Sequence, residues 1–187
     1  STPLTIAADR TAGLDLSIHL DERAGAFFAL GLARATRRPV ALVCTSGTAA
    51  ANYLPAVVEA FHSGVPLVVL SADRPPELQG RGAAQTIDQQ HLYGTHVRRY
   101  VEAAVAGTEP PEAAAALAVS VLGTAVGPAP GPVHVNWPLR EPLEPPDADP
   151  APLELLASPA PTTWPTPPSL PDTPRGVLVT GPMDLDA

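Results

Sequence analysis

A carboxylate at the start of a helix is the first residue in the chain whose type and position could do chemistry. Residues 14–20 alternate apolar and polar side chains, which predicts a strand, and helical spacing follows at once. Asp21 is a favourable N-cap and Glu22 falls in the first helical turn. Glu22 is therefore expected at the carboxyl end of a strand, where open α/β sheets bind ligands. On position alone, complementing the helix dipole is the better interpretation of its charge.

A short polar loop, Thr-Ser-Gly-Thr at residues 45–48, separates an apolar strand at 40–44 from a second helix. Glycine lets the backbone approach a ligand, and the start of a helix offers free N–H groups. An ordinary capped turn is the alternative, and the loop alone favours it. The loop lacks the Gly-Lys-Ser/Thr of a nucleotide-triphosphate site, and no Gly-x-Gly-x-x-Gly opens a helix.

An arginine follows the next apolar strand, at residues 66–70. Arg74 could clamp a carboxylate, because a guanidinium makes paired hydrogen bonds to planar anions. A surface ion pair with Asp73 or Glu77 is the alternative, and the sequence does not choose between the two.

An amide-rich stretch at residues 82–90 comes next. Gln85 could donate and accept hydrogen bonds to a carbonyl or a hydroxyl group. A polar exposed loop is the better interpretation of the stretch taken alone.

Metal ligands and nucleophiles are not indicated. The single cysteine, Cys44, lies in an apolar run, which favours a place in the core, and the histidines lack the spacing of a metal site. We therefore expect no metal site in this chain and read its five histidines as structural or surface residues: His19, His62, His91, His96 and His134.

These polar segments need a framework that brings strand ends together. Apolar runs typical of strands alternate with amphipathic or alanine-rich segments, which predicts an α/β fold with three layers, a parallel sheet with helices on both faces. The predicted helices cover residues 2–12, 22–35, 49–62 and 111–126, and the predicted strands cover 16–20, 40–44, 66–70, 97–101 and 132–136.

The carboxyl-terminal part has a different composition. Nearly half of the 25 prolines lie in residues 142–174, which predicts an extended linker rather than a packed domain. We expect a globular domain at 1–141 that lacks its first strand, the linker at 142–174, and the start of a truncated second domain at 175–187. The chain is thus expected to be a fragment.

Charge and composition limit the partners. The net charge is −8, the isoelectric point is about 4.9, and no basic block or long apolar span occurs. These features argue against nucleic acid and membrane insertion. One cysteine cannot form an intramolecular disulfide, so a cytoplasmic location is expected.

Taken together and in order, the motifs resemble the amino-terminal pyrimidine-binding domain of thiamine-diphosphate enzymes. The resemblance covers residues 1–138. It is closest to the branch that makes 2-succinyl-5-enolpyruvyl-6-hydroxy-3-cyclohexene-1-carboxylate in menaquinone biosynthesis. Five segments carry it: Ser-Thr-Pro-Leu-Thr at 1–5, Asp-Glu-Arg at 21–23, Thr-Ser-Gly-Thr-Ala at 45–49 with Asn52, Ala-Asp-Arg-Pro-Pro-Glu-Leu at 72–78, and Gly-Ala-Ala-Gln at 82–85.

The resemblance implies roles for particular residues. In the family the glutamate matched by Glu22 hydrogen-bonds the aminopyrimidine ring of the cofactor and activates it. Cofactor contacts are further implied for Gly47, Thr48 and Asn52, and substrate contacts for Ser1, Arg74 and Gln85. The family often has asparagine where this chain has Ala84.

The resemblance also implies the reaction. Thiamine diphosphate would serve to decarboxylate 2-oxoglutarate and join the product to isochorismate. Magnesium or manganese would be bound by a separate carboxyl-terminal domain, so the fragment alone is expected to be inactive. The family forms homodimers or homotetramers with the active site between subunits. Helices 22–35 and 49–62 are the predicted contacts, although they could instead only cover the sheet.

Two alternatives stay open. Another thiamine-diphosphate enzyme of 2-oxo acids, of the acetohydroxyacid synthase or decarboxylase type, would share the fold and Glu22, but the sequence around Arg74 speaks against it. A degenerate, non-catalytic paralogue is the second alternative, and the presence of Glu22 disfavours it.

Overall fold

The computed structural model describes residues 1–144, and these form a parallel sheet with helices on both sides. The four strands are β1 (Val40–Cys44), β2 (Leu67–Asp73), β3 (Arg99–Glu102) and β4 (Val133–Pro138). They lie in the order β1-β2-β4-β3, and every neighbouring pair is parallel. The predicted three-layer α/β fold is confirmed.

Two separate apolar clusters fill the space between the sheet and its helices. The helices are α1 (Thr2–Arg10), α2 (Glu22–Thr36), α3 (Thr48–Ala51), α4 (Leu54–Ser63) and α5 (Pro111–Ala125). Helices α2 to α4 pack on one face, over β1 and β2, and α5 packs on the other face, over β2 and β4. Because the central strands β2 and β4 are covered on both sides, almost all of their residues are buried, including several polar ones.

Helix α2 begins where the sequence predicts. Asp21 is the N-cap, and its carboxylate accepts a hydrogen bond from the Ala24 N–H at 2.7 Å. The buried face is made of small residues, Gly25, Ala26, Ala29 and Ala33, which let the helix lie close to the sheet.

The strand predicted at residues 16–20 is wrong. The run forms no strand, and its apolar side chains are exposed, with 79% of Ile18 accessible. Alternation stabilises a strand only when a neighbouring strand pairs with its backbone and one face is buried, and β1 pairs with β2 alone. The run instead contacts α2 through His19, whose ring lies 4.7 Å from that of Phe28.

The helix predicted at residues 49–62 is divided into α3 and α4. Pro55 lies in the first turn of α4 and has no N–H, so it cannot donate to the carbonyl of Ala51. Asn52 and Tyr53 make the connection, and their N–H groups bond back to Thr48, Ala49 and Ala50.

The other predicted elements differ only at their ends, except β2. That strand continues through Ser71, Ala72 and Asp73, which the sequence assigns to a loop, because these residues pair with β4. The second domain at 175–187 lies outside the described residues, as does the linker at 142–174 beyond its first three residues. Within residues 1–144, no helix is both long and apolar enough to cross a membrane.

Candidate functional site at the carboxyl ends of β1 and β2

Glu22 lies at the carboxyl edge of the sheet, as predicted, although no strand of its own leads to it. It is the first residue of α2 and is partly buried. Its negative charge acts on the Cys44 thiol at the end of β1 and on the Tyr53 hydroxyl before α4. Glu22 therefore lies within electrostatic reach of the end of β1.

Two buried groups beside Glu22 stay protonated. Burial is the main cause that raises the pKa of Cys44 to about 12, and the charge of Glu22 contributes to the rise. Burial likewise raises the pKa of Tyr53, with added effects from Cys44 and Glu22. Cys44 is thus a core residue, as predicted, and an unreactive one. The Tyr53 hydroxyl group donates to the Val43 carbonyl at 3.0 Å, which holds the Tyr53 side chain against β1.

The loop at residues 45–48 has a backbone that requires glycine. Gly47 has φ of 84° and ψ of −145°, a combination that side chains with a Cβ rarely adopt. A Cβ on Gly47 would lie 3.2 Å from Gln85 Cγ and 3.3 Å from the Gln85 carbonyl. The loop is therefore more than an ordinary capped turn, since another segment packs directly on its glycine.

Gln85 is the residue that packs there. Its Nε2 donates to Thr45 Oγ1 at 2.8 Å and to the Ser46 carbonyl at 3.2 Å, and its own carbonyl accepts from Ser46 Oγ at 2.8 Å. These bonds use the amide nitrogen and leave the amide oxygen as an acceptor. Gln85 has φ of 57°, an uncommon conformation that is held by these contacts.

Arg74 is fixed at the end of β2 and does not pair with Glu77. Its Nη2 donates to the Ala84 carbonyl at 3.1 Å, and its buried Nε has no partner within residues 1–144. Glu77 is instead paired with Arg140, at 2.7 Å, which lowers the pKa of Glu77 to about 2. Of the two partners considered for a surface ion pair, Glu77 does not pair with Arg74, and Asp73 accepts a hydrogen bond from the Arg74 backbone N–H at 2.7 Å.

The structure brings most of the predicted site residues to one edge. Ser1 precedes α1 and lies within electrostatic reach of Cys44 and Arg74. Thr48 is exposed at the start of α3, and Asn52 donates to its carbonyl at 2.9 Å. The side-chain amide of Asn52 therefore caps α3 through one N–H, and this exposed side chain keeps its amide oxygen as an acceptor.

Comparison with known proteins shows which family the amino-terminal part of the chain resembles. Residues 1–92 match the family described as "Thiamine pyrophosphate enzyme, N-terminal TPP binding domain". Three relatives, each named 2-succinyl-5-enolpyruvyl-6-hydroxy-3-cyclohexene-1-carboxylate synthase, come from Geobacillus kaustophilus, Thermobifida fusca and Geobacillus thermodenitrificans. Their identities to the chain are 50%, 47% and 57%.

Residues 1–92 belong to the thiamine pyrophosphate enzymes.

The alignments cover 98%, 100% and 78% of this chain in the same order, and 34%, 36% and 25% of the three synthases. The chain thus spans about a third or less of the length of the curated relatives it matches. The recognised part is the amino-terminal one, which holds every residue that the family resemblance singles out.

The residues present fit the cofactor of the thiamine pyrophosphate enzymes. The charge of the partly buried Glu22 acts on Cys44 and Tyr53 at the end of β1, and Gln85 packs on Gly47. A partly buried carboxyl group is a suitable partner for a flat ring with polar nitrogens. No group of three or more His, Cys, Asp or Glu side chains among residues 1–144 could hold a metal ion.

Gln89 and Asn136 are two residues near the site that the sequence does not single out. Both are buried, at 1% and 0% exposure, and both lie in a network behind the site. In the sequence, Asn136 is only the end of a predicted strand, and Gln89 is only one of several amides. The sequence feature that could have indicated them is a polar side chain at or after the end of a buried strand. That feature does not distinguish a buried residue from an exposed one unless its hydrogen-bond partners are known.

His134 is structural, as predicted. It is fully buried in β4, its Nε2 lies 2.7 Å from Ser71 Oγ, and its ring packs on Tyr93 and Tyr100. Burial lowers the pKa of His134 to about 4, with a smaller effect from His91. The imidazole is therefore neutral at physiological pH.

Proposed function

We propose that this chain is the pyrimidine-binding part of a thiamine-diphosphate-dependent synthase. The complete enzyme would decarboxylate 2-oxoglutarate and add the resulting four-carbon unit to isochorismate, in menaquinone biosynthesis. The observation that carries the proposal is the meeting of Glu22, the Gly47 loop and Arg74 at one edge of the sheet. The name shared by relatives that are 47–57% identical supports it.

Glu22 is the proposed catalytic residue. Thiamine diphosphate supplies the reactive carbon that attacks a 2-oxo acid. Glu22 would share a proton with the pyrimidine ring of the cofactor, and Gly47 and Thr48 would line the ring pocket. Glu22 is partly buried, and partial burial strengthens a hydrogen bond made by its carboxylate.

Arg74 and Gln85 are the proposed substrate contacts. The Arg74 guanidinium is held by the Ala84 carbonyl and keeps further N–H groups for a carboxylate. Gln85 would offer its amide oxygen to a hydroxyl group of the substrate. Ser1 lies near Arg74 and would line the same pocket. Asn52, at the end of α3, is a further proposed cofactor contact.

Residues 1–144 would form only part of the active site, which would also need a metal site and a partner subunit. Magnesium or manganese would bind the diphosphate through a carboxyl-terminal domain. A second copy of the protein would complete the active site, with contacts through α2 and α4. Phe27, Leu32 and Leu54 support this contact, because all are large apolar side chains at least 38% exposed. A cytoplasmic location belongs to the same proposal.

The experiment is an activity assay of the full-length protein with thiamine diphosphate and magnesium. We would measure consumption of 2-oxoglutarate with and without isochorismate, and repeat the assay with pyruvate in place of 2-oxoglutarate. The proposal requires consumption of 2-oxoglutarate that depends on isochorismate. Turnover of pyruvate instead would indicate an enzyme of the acetohydroxyacid synthase or decarboxylase type.

The matched variant is Arg74→Lys, which keeps the charge but loses the paired N–H geometry. We expect it to raise the KM for 2-oxoglutarate roughly tenfold or more while thiamine diphosphate still binds. An unchanged KM would remove Arg74 from the substrate site. A full-length protein that binds the cofactor and turns over neither acid would favour a non-catalytic paralogue.

A further inference from the structure

A buried chain of hydrogen bonds joins the two loops that the proposed function assigns to cofactor and substrate. It begins at the Gly47 N–H, which donates to Gln89 Oε1 at 2.7 Å. Gln89 Nε2 in turn donates to Asn136 Oδ1 at 2.9 Å and to the Ala72 carbonyl at 3.0 Å. One side chain thus connects the Gly47 loop to the ends of two strands.

The chain of bonds continues to Arg74. Asn136 Nδ2 donates to Asp73 Oδ2 at 2.7 Å, and Asp73 Oδ1 accepts from the Arg74 N–H at 2.7 Å. Gln79 closes the far end, because its Nε2 bonds to Asp73 Oδ2 at 3.2 Å and to the Arg74 carbonyl at 2.9 Å. The backbone of Arg74 is therefore held from both sides by this network.

Only an amide can do what Gln89 does here. A primary amide has one acceptor oxygen and two donor hydrogens, and Gln89 uses all three on buried partners. Glutamate would lose both donors, and an apolar residue would leave the Gly47 N–H and the Ala72 carbonyl unsatisfied. Buried unsatisfied groups are costly, so the amide strongly favours the observed loop geometry.

Asn136 has a second set of contacts that only support the sheet. Its Oδ1 also accepts from Ser71 Oγ at 2.9 Å, and its Nδ2 lies 3.1 Å from Glu102 Oε2. Burial raises the pKa of Asp73, and its bonds to Asn136 and to the Arg74 N–H oppose that shift. A purely structural role for these residues therefore has to be separated from a role in positioning the loops.

We propose that Gln89 and Asn136 are positioning residues that hold the Gly47 loop and Arg74 in one relative geometry, so that loosening one loop loosens the other. The geometric claim rests on the bonds above, and only the identity of the ligands rests on the proposed function. Neither residue touches the proposed ligands, and each acts through the loops that do.

The test is amide hydrogen exchange of the full-length protein, measured with fragmentation that resolves single amides. The main variant is Gln89→Met, which keeps much of the volume but makes no hydrogen bonds. We expect exchange of the Gly47 amide to become roughly tenfold faster, since a buried bond of the usual strength is lost. The Arg74 amide, which Gln89 does not contact, should also exchange several-fold faster.

The matched control is Val121→Ala on α5. Val121 is 2% exposed in the other apolar cluster, so its truncation lowers stability without touching the network. The proposal requires the Gly47 and Arg74 amides to keep wild-type exchange in this variant. Equal acceleration in both variants would reduce Gln89 to a structural residue. Acceleration at Gly47 alone in Gln89→Met would overturn the link to Arg74.

A second measurement tests whether Gln89 affects the binding of thiamine diphosphate. Calorimetric titration with thiamine diphosphate and magnesium should give a Kd roughly tenfold higher for Gln89→Met than for wild type, and an unchanged Kd for Val121→Ala. An unchanged Kd for Gln89→Met would overturn a role in cofactor binding. If the wild-type protein does not bind thiamine diphosphate, the proposed function fails, and the exchange experiment still decides whether Gln89 positions both loops.

Discussion

The side-chain amide of Gln85 donates to the hydroxyl group of Thr45 at 2.8 Å, across 40 positions of the sequence. This bond joins the loop after β1 to the loop after β2. The residues proposed to bind cofactor and those proposed to bind substrate therefore form one packed unit, and a change in either loop should be felt in the other.

Gly47 should tolerate no side chain. We expect Gly47→Ala to destabilise the protein by about 1–3 kcal/mol, because its φ of 84° is strained for alanine and the new Cβ meets Gln85. Affinity for thiamine diphosphate should fall with it. Thermal unfolding and calorimetric titration measure the two effects. The control is Gly31→Ala in α2, where nothing lies within 4 Å of the new Cβ, and it should gain up to about 1 kcal/mol. Equal behaviour of the two variants would contradict the strained loop.

Arg98 should stabilise the sheet through three contacts. Its Nε donates to the Pro130 carbonyl and its Nη2 to the Phe61 carbonyl, both at 3.0 Å, and the guanidinium lies 4.1 Å from the Phe61 ring centroid. We expect Arg98→Lys to cost about 2 kcal/mol, since lysine cannot make both bonds and stack. Arg99→Lys is the control, because Arg99 bonds only an exposed Ser120, and it should change stability by less than about 0.5 kcal/mol. Urea unfolding compares them, and a similar loss in both would refute the anchoring role.

His134 should make the fold sensitive to acid. The folded-state pKa of His134 is about 4, below its ordinary value of 6.5. Its contribution to the free energy of unfolding is therefore present above pH 6.5 and is lost as the pH falls toward 4. The loss amounts to about 3 kcal/mol by pH 4. Asp73 acts in the opposite direction, because its raised pKa favours the folded state as the carboxyl group protonates.

An NMR titration of the imidazole checks the His134 prediction. A midpoint near 4 is expected, and a midpoint at 6 or above would contradict the buried neutral ring. His134→Gln should be less stable at pH 7 and should lose less stability than wild type between pH 6.5 and 4.

Helix α2 should form part of a subunit contact. Leu32 is 40% exposed on its outer side, and we expect Leu32→Lys to weaken association of the full-length protein at least roughly tenfold, because the contact would bury a charge. Val119→Lys on α5 is the control, since Val119 is 65% exposed on the opposite face of the sheet. Sedimentation gives the association constants. Unchanged association in Leu32→Lys would remove this part of α2 from the contact.

The buried strands were the most predictable part of the fold. Strand β1 begins and ends on the predicted residues, because five apolar side chains in a row between polar segments leave few alternatives. The run at 16–20 has an equally regular pattern and forms no strand. A periodic pattern shows only which side chains could share a face. It does not show whether a neighbouring strand is available to pair with the run.

The candidate site residues were singled out by the family resemblance rather than by position. Type and position alone favour a helix-dipole role for Glu22, a capped turn at Gly47 and an exposed loop at Gln85. The partners of Gln89 are different, since Gly47 and Asn136 lie 42 and 47 positions away. Gln89 is buried and its neighbour Gln90 is exposed. The sequence alone does not distinguish the two, because the partners of Gln89 come close only in the folded sheet.

The most direct test of the central claim is the exchange rate of the C2 proton of thiamine diphosphate bound to the full-length protein, in wild type and in Glu22→Gln. An amide of the same shape cannot share the proton as a carboxyl group does. We therefore expect exchange to slow by ~100-fold or more in Glu22→Gln, with the cofactor still bound and the fold intact. Equal exchange rates in the two proteins would contradict the account and leave Glu22 as a residue that only stabilises the start of α2.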